Sequence, residues 1–349
     1  MKNKAAEKEW KQLRYTRDPD EMIAGVVGKE YMEYRKRWER AGRLQVTGKY
    51  PTHLDFEFRY GCNLKCPYCI LQIGSSELGE NHPYHIRNKS LSITFEKFEE
   101  ILKEGISHGL SSITIGGNNE PLLTRDVARY IKRARELGIV DVIMLTNATL
   151  LTEKISAELL DSGITKIYFS LDAIRQETYR IVRKGGDFGK VMKNIEYFLK
   201  LKKEKGQVLP ITRVSFVKNK LNEAEAEEFA EYWKTKVDFL CFQAFVTPAY
   251  GYSGYETLRK KFQMENKELK EPGVCSQPYQ RLTIYSDGSV HPCCRWYGST
   301  IILGNINSES IYDIWNSAKM KKFRLAVNDS VPDNVPKECR ICRKTIFGE

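Results

Sequence analysis

The sequence has no run of about 18–20 apolar residues that could span a bilayer. Its first ten residues, MKNKAAEKEW, are charged where a secretory signal would carry an apolar core. Neither a transmembrane helix nor a signal peptide is expected, which predicts a cytoplasmic protein with reduced thiols and no membrane partner. The basic excess of +11 is not gathered into a tail. Lysine-rich stretches such as Lys200–Lys205 read as solvated helix faces, so nucleic acid is not the expected partner. A basic surface of this kind suits smaller anions such as phosphates or nucleotides. What is present is an ordinary globular composition, 41% hydrophobic and 29% charged over 349 residues, enough for one large domain and a small one. The nine cysteines then read as metal ligands before disulfides.

Three of them fall within eight residues, Cys62-Asn63-Leu64-Lys65-Cys66-Pro67-Tyr68-Cys69, spaced CxxxCxxC. Structural zinc prefers four ligands in a closed site. A [4Fe–4S] cube is usually held by four thiolates. Three clustered thiolates with no local fourth suggest a cube with one open iron, where a substrate or cosubstrate can bind. A zinc knuckle completed from elsewhere and unligated thiols are the alternatives.

The chain around this stretch alternates strands and helices. Residues 1–50 read as a helical extension in which Tyr31, Tyr34 and Trp38 share one face that packs on the main domain. His53–Phe58 alternates as a first strand, and the cysteine stretch follows as a loop at its C-terminal end. Residues 70–92 are irregular, and Thr94 caps a helix to about His108. Strands are expected at 113–115, 140–145, 166–170, 211–217 and 237–245, with helices between them. Six such units imply a parallel sheet with right-handed crossovers, an α/β partial (β/α)6 TIM-like barrel, since eight would close it. In parallel α/β folds the site gathers at the strands' C-terminal ends. The polar tips there are the cysteine loop, Gly116-Gly117-Asn118-Asn119-Glu120, Thr146-Asn147, Ser170-Leu171-Asp172 and Asn219.

On Cys62, Cys66 and Cys69, with aromatic Tyr68 before the last cysteine and a six-fold repeat around them, residues 50–245 resemble the radical S-adenosylmethionine (radical SAM) superfamily. The resemblance implies a [4Fe–4S] cluster whose open iron binds SAM. One electron cleaves SAM to methionine and a 5′-deoxyadenosyl radical, which takes a hydrogen atom from a substrate. It also implies a low-potential electron donor such as flavodoxin or ferredoxin. Gly116-Gly117-Asn118-Asn119-Glu120-Pro121 is similar to the family's glycine motif, which receives the methionine amino group, although the family's usual Gly-Glu-Pro has Asn119 before Glu120 here. Ser170, Asp172 and Arg183 are similar to the fourth-strand segment that approaches the ribose and the methionine carboxylate, and Asn147 is a further candidate for SAM contact.

After residue 247 the rhythm stops. Residues 248–272 read as a linker, and residues 273–349 as a small C-terminal β-hairpin and helix domain. Asp287-Gly288 between apolar runs signals a hairpin turn. Cys275, Cys293 at the hairpin's far end, and Cys339 and Cys342 can converge on one metal centre, for which Cys₄ zinc is also a fit. Behind a radical SAM core, the segment resembles the SPASM/twitch extension. Leu303-Gly304-Asn305-Ile306 and Ile311–Asn316 also carry the likeness. The likeness implies one auxiliary [4Fe–4S] cluster on Cys275, Cys293, Cys339 and Cys342. Cys241 and Cys294 are left over. Cys241 reads as core packing in a strand. Cys294 is a candidate catalytic hydrogen-atom donor, a substitute ligand for Cys293, or a small buried hydrophobe.

Together these features predict a radical SAM oxidoreductase acting on a small polar or carbohydrate-type molecule, phosphorylated or nucleotide-linked. A peptide-modifying enzyme is the alternative within the class. A zinc-stabilised nucleic-acid-binding protein is the alternative outside it.

Overall fold

The computed structural model describes residues 2–8, 11–15, 17–73, 90–246, 254–264 and 274–347. The chain opens with strands β1 (Lys2–Lys8) and β2 (Lys11–Tyr15), then helices α1 (Pro19–Val27) and α2 (Lys29–Leu44). Strand β3 (His53–Phe56) and helix α3 (Phe95–Ser107) flank the cysteine loop. The alternation continues through β4 (Ser112–Ile115), α4 (Val127–Leu137), β5 (Asp141–Thr146), α5 (Glu153–Asp161) and β6 (Lys166–Ser170). It ends with α6 (Gln176–Val182), α7 (Phe188–Glu204), β7 (Ile211–Lys218), α8 (Ala226–Trp233) and β8 (Phe239–Ala244). Helices start where their sequence says they should: Thr94, Thr152 and Asp187 each accept a hydrogen bond from the backbone N–H three residues on.

Strands β3 to β8 pair in parallel in sequence order, the open six-stranded partial barrel that the alternation implies. Two additions extend it. On the β8 edge, β2 pairs antiparallel with β8, and β1 with β2, so the expected helical extension over residues 1–50 begins with two strands. Charged, non-alternating sequence gives no sign of this, and the register comes from the edge it meets.

The second addition comes from the C-terminal segment. Helix α9 (Tyr255–Phe262) lies in the stretch read as a linker, the rest of which falls largely outside the described residues. Then follow α10 (Gln277–Gln280), β9 (Arg281–Ile284), β10 (Ser289–His291), β11 (Gly304–Asn305), α11 (Ile311–Asn316), α12 (Ala318–Val327) and α13 (Lys337–Phe347). The expected hairpin forms, with Gly288 at φ +84° and Asp287 accepting from Ser289 N–H and hydroxyl. Asp287 is therefore a turn residue. Strand β9 pairs parallel with β3, so the sheet runs on into this segment. Leu282, Ile284, Val290, Ile311, Ile314 and Trp315 share one apolar core with the barrel strands and helices.

Alternation divides each barrel strand between two environments. One face, with Leu54, Ile113, Met144, Phe169 and Val214, packs on the helices. The other carries His53, Asp55, Thr114, Asp141, Lys166 and Arg213, all buried, and is polar. Helices α1 and α2 close this polar interior at the strands' N-terminal end. The Tyr31 hydroxyl donates to Asp20 Oδ1 at 2.5 Å, and Lys166 Nζ donates to Tyr31 and to Asp141 at 2.8 Å each. Tyr31, Tyr34 and Trp38 stack edge to face along α2, and Trp38 continues the stack onto His53. The aromatic stripe is thus a packing face, as its spacing implies.

Asp55 ties β3 to β9, taking Arg281 at 3.2 Å, the Thr283 hydroxyl at 3.1 Å and His53 at 3.1 Å. Burial alone would raise its carboxyl, but Arg281, His53 and these hydrogen bonds outweigh burial and hold it at about 2. A carboxyl depressed below its unfolded value of about 3.9 stabilises the fold above pH ~4 and loses that contribution as pH falls through ~2. In urea denaturation the stability advantage of wild type over Asp55→Asn is expected to shrink by about 2 kcal/mol between pH 5 and pH 2.

Candidate active site

From Glu57 to Ile73 the chain is a loop that carries the three cysteines, and most of the stretch expected to be irregular, residues 74–89, lies outside the described residues. It is held from outside. Glu57 N–H donates to Ile284 O at 2.9 Å, and Lys65 N–H to Lys184 O at 2.7 Å. Within the loop, Cys69 N–H donates to Cys66 O at 3.0 Å. Cys62, Cys66 and Cys69 line a cavity of about 320 Å³ together with Tyr68, Gly117, Asn118, Asn119, Glu120, Asn147, Ser170 and Arg183. Tips of β4, β5 and β6 thus meet the loop at the C-terminal end of the sheet, as expected. Gly116 sits just beneath, and Asp172 just behind.

Two buried carboxylates shape this rim. Asp172, at φ +61°, accepts from Val217 N–H at 2.8 Å through Oδ1, and from the Tyr68 hydroxyl at 3.0 Å through Oδ2. Its Oδ2 also meets Arg183 Nη2 at 2.6 Å. Arg183 in turn brings Nη1 to 4.0 Å from Cys66 Sγ, while its Nε is buried without a partner. Asp172 therefore holds Tyr68 and Arg183, and Arg183 lines the cavity with a guanidinium of the kind that suits a carboxylate. Glu120 is 2% exposed and accepts from the Thr146 hydroxyl at 2.7 Å, from Asn147 N–H at 2.8 Å and from Leu122 N–H at 3.1 Å. Burial pushes its pKa up against these hydrogen bonds. Glu120 fastens the β4 tip to the β5 tip with both oxygens, which makes it first a strut for the rim.

Asn147 reaches the loop itself, donating from Nδ2 to Asn63 Oδ1 at 3.0 Å and to Cys62 Sγ at 3.5 Å. Asn118 N–H donates to Glu57 at 3.0 Å, and Asn119 Nδ2 to Arg59 O at 2.8 Å. Glu57 and Asn63 were not among the expected site residues. Glu57 is the third polar residue of the pattern His53, Asp55, Glu57, which the β3 alternation already displays. Burial pushes the Cys69 thiol up to about 12 and raises Cys62 and Cys66, so ligation must displace protons.

Cys275, Cys293, Cys339 and Cys342 line a second cavity of about 100 Å³. Gly298 lies against Cys293 with no room for a side chain toward its Sγ. Cys339 and Cys342 stand three residues apart on α13, hence on one helix face. Cys294 lines neither cysteine cavity. Arg281 Nη1 donates to its Sγ at 3.6 Å, which turns it toward the Asp55 network. Cys241 is fully buried in β8, opposite Ser215 on β7. Among the described residues no three Cys, His, Asp or Glu side chains converge tightly enough to grip a single metal ion. A cube spreads its thiolates around a larger body than one zinc ion does, and two cysteine-lined cavities fit that donor set.

Chain direction sets the two sites apart. The loop with Cys62 follows the C-terminal end of β3, whereas Cys275 precedes the start of β9, which runs parallel to β3. Strand β10 runs back, which brings Cys293 to that same starting end. The two cavities lie at opposite ends of one sheet, with the polar interior between them.

This is the architecture of an iron–sulfur enzyme with a second cysteine centre. Residues 56–232, half of the chain, match the radical SAM superfamily, and residues 275–343 match the SPASM iron–sulfur cluster-binding domain. The chain belongs to the radical SAM superfamily; it uses SAM and a [4Fe–4S] cluster, and its C-terminal segment is of the auxiliary-cluster type. Among curated relatives it is 31% identical to the GTP 3′,8-cyclase of Alkaliphilus metalliredigens over 170 residues, 48% of each chain. It is 29% identical to that of Thermodesulfovibrio yellowstonii over 212 residues, 60% of this chain and 59% of the relative. The chain thus spans about half the length of the curated relatives it matches. Streptococcus suis SuiB bound to its precursor peptide SuiA superimposes with a TM-score of 0.58 at 18% identity, covering 90% of this chain and 75% of that one. The SAM-bound anSMEcpe gives 0.57 at 20%, covering 84% and 88%. Membership in this superfamily sets aside the zinc-stabilised nucleic-acid-binding alternative.

Two sets of variants check the geometry. Gly116 has φ +92°, and a Cβ there would fall 2.9 Å from Leu145 O, whereas a Cβ at Gly117 would meet nothing nearer than 3.7 Å. Gly116→Ala is expected to cost about 2 kcal/mol in denaturant titration, with Gly117→Ala close to wild type. Anaerobically reconstituted protein should carry about eight irons per chain, falling to about four when Cys62, Cys66 and Cys69 are all changed to Ala. Cys294→Ala should leave the count unchanged.

Proposed function

We propose that this enzyme removes hydrogen from a small anionic molecule held on the polar interior face, in a net two-electron oxidation assisted by the Cys275 centre. The observation that carries the reading is the placement of two cysteine-lined cavities at opposite ends of one sheet with a buried polar face between them. In this reading Cys62, Cys66 and Cys69 hold the SAM-binding cluster, and Cys275, Cys293, Cys339 and Cys342 the auxiliary one. When bound, the first cluster with SAM supplies a 5′-deoxyadenosyl radical, and the second supplies an electron acceptor.

The chain's own residues do the positioning. Asp172 orients Arg183, whose guanidinium lines the cavity and would receive the methionine carboxylate. Glu120 keeps the β4 and β5 tips together so that Gly116, Gly117, Asn118 and Asn119 offer backbone groups to the methionine amino end. Ser170 lines the same cavity and would meet the ribose. Asn147 donates toward Cys62 and lowers the negative charge on that sulfur. Tyr68 braces the loop against Phe245 and Phe262, with ring centroids 5.3 Å away in each case, and excludes water from its inner side.

The named relatives act on a nucleotide, which favours an anionic small molecule. They lend no support to the carbohydrate-type substrate expected from the sequence. The structural neighbours that bind peptides support the peptide alternative only at the level of fold. A low-potential flavodoxin or ferredoxin remains the proposed electron donor, and the cytoplasm the proposed location; no described helix is long and apolar enough to cross a membrane.

Reconstituted enzyme with SAM and dithionite should form 5′-deoxyadenosine. Across a panel of nucleotides, phosphate esters, carboxylic acids and peptides, the rate should rise with a phosphate or carboxylate member and yield a product two hydrogens lighter. A rise confined to peptides, or a product of unchanged mass inverted at one carbon, would contradict the proposal.

A further inference from the structure

The end of the barrel opposite the Cys62 loop has a cavity of its own, about 420 Å³, covered by α1 and α2. Most charges around it are matched. Asp20 takes Arg35 at 3.2 Å, Asp141 takes Lys166 at 2.8 Å, and Asp55, just behind the wall, takes Arg281 at 3.2 Å. Asp18 caps α1 by accepting from Asp20 N–H.

Arg213 is different. It lines the cavity, is only 9% exposed, and its side chain makes no hydrogen bond or ion pair with any described residue; its Nε is buried without a partner. Its guanidinium carbon lies 3.6 Å from the centroid of the Tyr168 ring and 5.8 Å from that of Phe239. A guanidinium stacked on a ring keeps its N–H groups in its own plane, which is how arginine takes a carboxylate or phosphate side-on. Arg281, on the same cavity wall and 4.8 Å from the Trp38 ring, likewise has an Nε without a partner. A buried cation with no counter-charge is costly to a fold, and a ligand's negative charge would satisfy it.

Register connects this cavity to the radical-forming end. Tyr168 on β6 is opposite Arg213 on β7, and Ser170 is opposite Ser215. The second pair lies about 7 Å further toward the strand tips on the same face. Ser170 lines the Cys62 cavity, and Ser215 Oγ is buried without a partner. Arg213, Ser215 and Ser170 therefore follow one another along a single face of the sheet, from this cavity toward the one lined by Cys62.

We propose that Arg213, with Arg281 on the same wall, binds the anionic end of the substrate in this cavity, and that the rest of the substrate extends past Ser215 toward Ser170. The recognised group is a phosphate ester or a carboxylate. The assignment rests on the reading that the polar interior holds the substrate.

The test uses reconstituted holoenzyme without SAM, with pyrophosphate and succinate as separate probes, read by equilibrium dialysis and by thermal unfolding. One probe should bind wild type and raise its unfolding midpoint, and which one does so distinguishes phosphate from carboxylate. Arg213→Met should weaken that binding roughly tenfold or more, with Arg213→Lys intermediate. Without a probe, Arg213→Met should unfold at or above the wild-type midpoint, because an unmatched buried charge has been removed. The proposal is overturned if neither probe binds wild type, if Arg213→Met binds as wild type does, or if the probe-free variant unfolds well below wild type. Because no SAM is present, failure here is separate from failure to form 5′-deoxyadenosine, which would sink the reading of the site itself.

Discussion

The loop that carries Cys62, Cys66 and Cys69 has no ladder or helix of its own, so its shape depends on what grips it. Asp172 is the central grip. One carboxylate, fully buried at a left-handed turn, joins Tyr68 of the loop, Arg183 beyond α6 and the backbone of β7. Removing one partner from such a buried set typically costs about 3–5 kcal/mol, because the other charge is left unmatched. Glu120 does the same between the β4 and β5 tips. Three thiols that local sequence leaves flexible are thereby fixed in position against four strand ends.

This arrangement divides the labour along each strand. The helix-facing side is an apolar core that extends without a break into the C-terminal segment, since β9 is a neighbour of β3 in the same sheet. That continuity fixes the four-cysteine cavity relative to the three-cysteine one, a separation that electron transfer would require to be constant. The interior side carries most of the buried charges, with Ile143, Leu145 and Ile211 set between them, and is closed below by α1 and α2. A protein that needed only a stable barrel would fill this side with branched aliphatic residues. Here it keeps charges, nearly all of them paired.

Much of this could be read from the residues alone. The six strand–helix units follow from alternation and capping, and CxxxCxxC after the first strand places the chemistry. The four later cysteines do line one cavity. What escaped depends on contacts between distant segments. Nothing in Arg281–Ile284 says that it pairs parallel with His53–Phe56, and nothing in the charged first fifteen residues says that they extend the β8 edge. Glu120 and Asp172 stand in motif positions that suggest ligand contact, yet their oxygens are taken by Thr146, Asn147, Tyr68 and Arg183. Cys294 adjoins Cys293 in sequence, but the chain turns the two thiols to different surroundings. Sequence spacing predicts which residues cluster; it does not predict which of their atoms remain free.

The central claim is that the three-cysteine site, and not the four-cysteine one, receives SAM. Electron paramagnetic resonance of the dithionite-reduced protein tests it directly. Adding SAM should change the spectrum of the wild-type protein and leave unaltered that of the variant with Cys62, Cys66 and Cys69 replaced by Ala, which keeps only the auxiliary cluster. A SAM-induced change in that variant, or none in the wild type, would contradict the account.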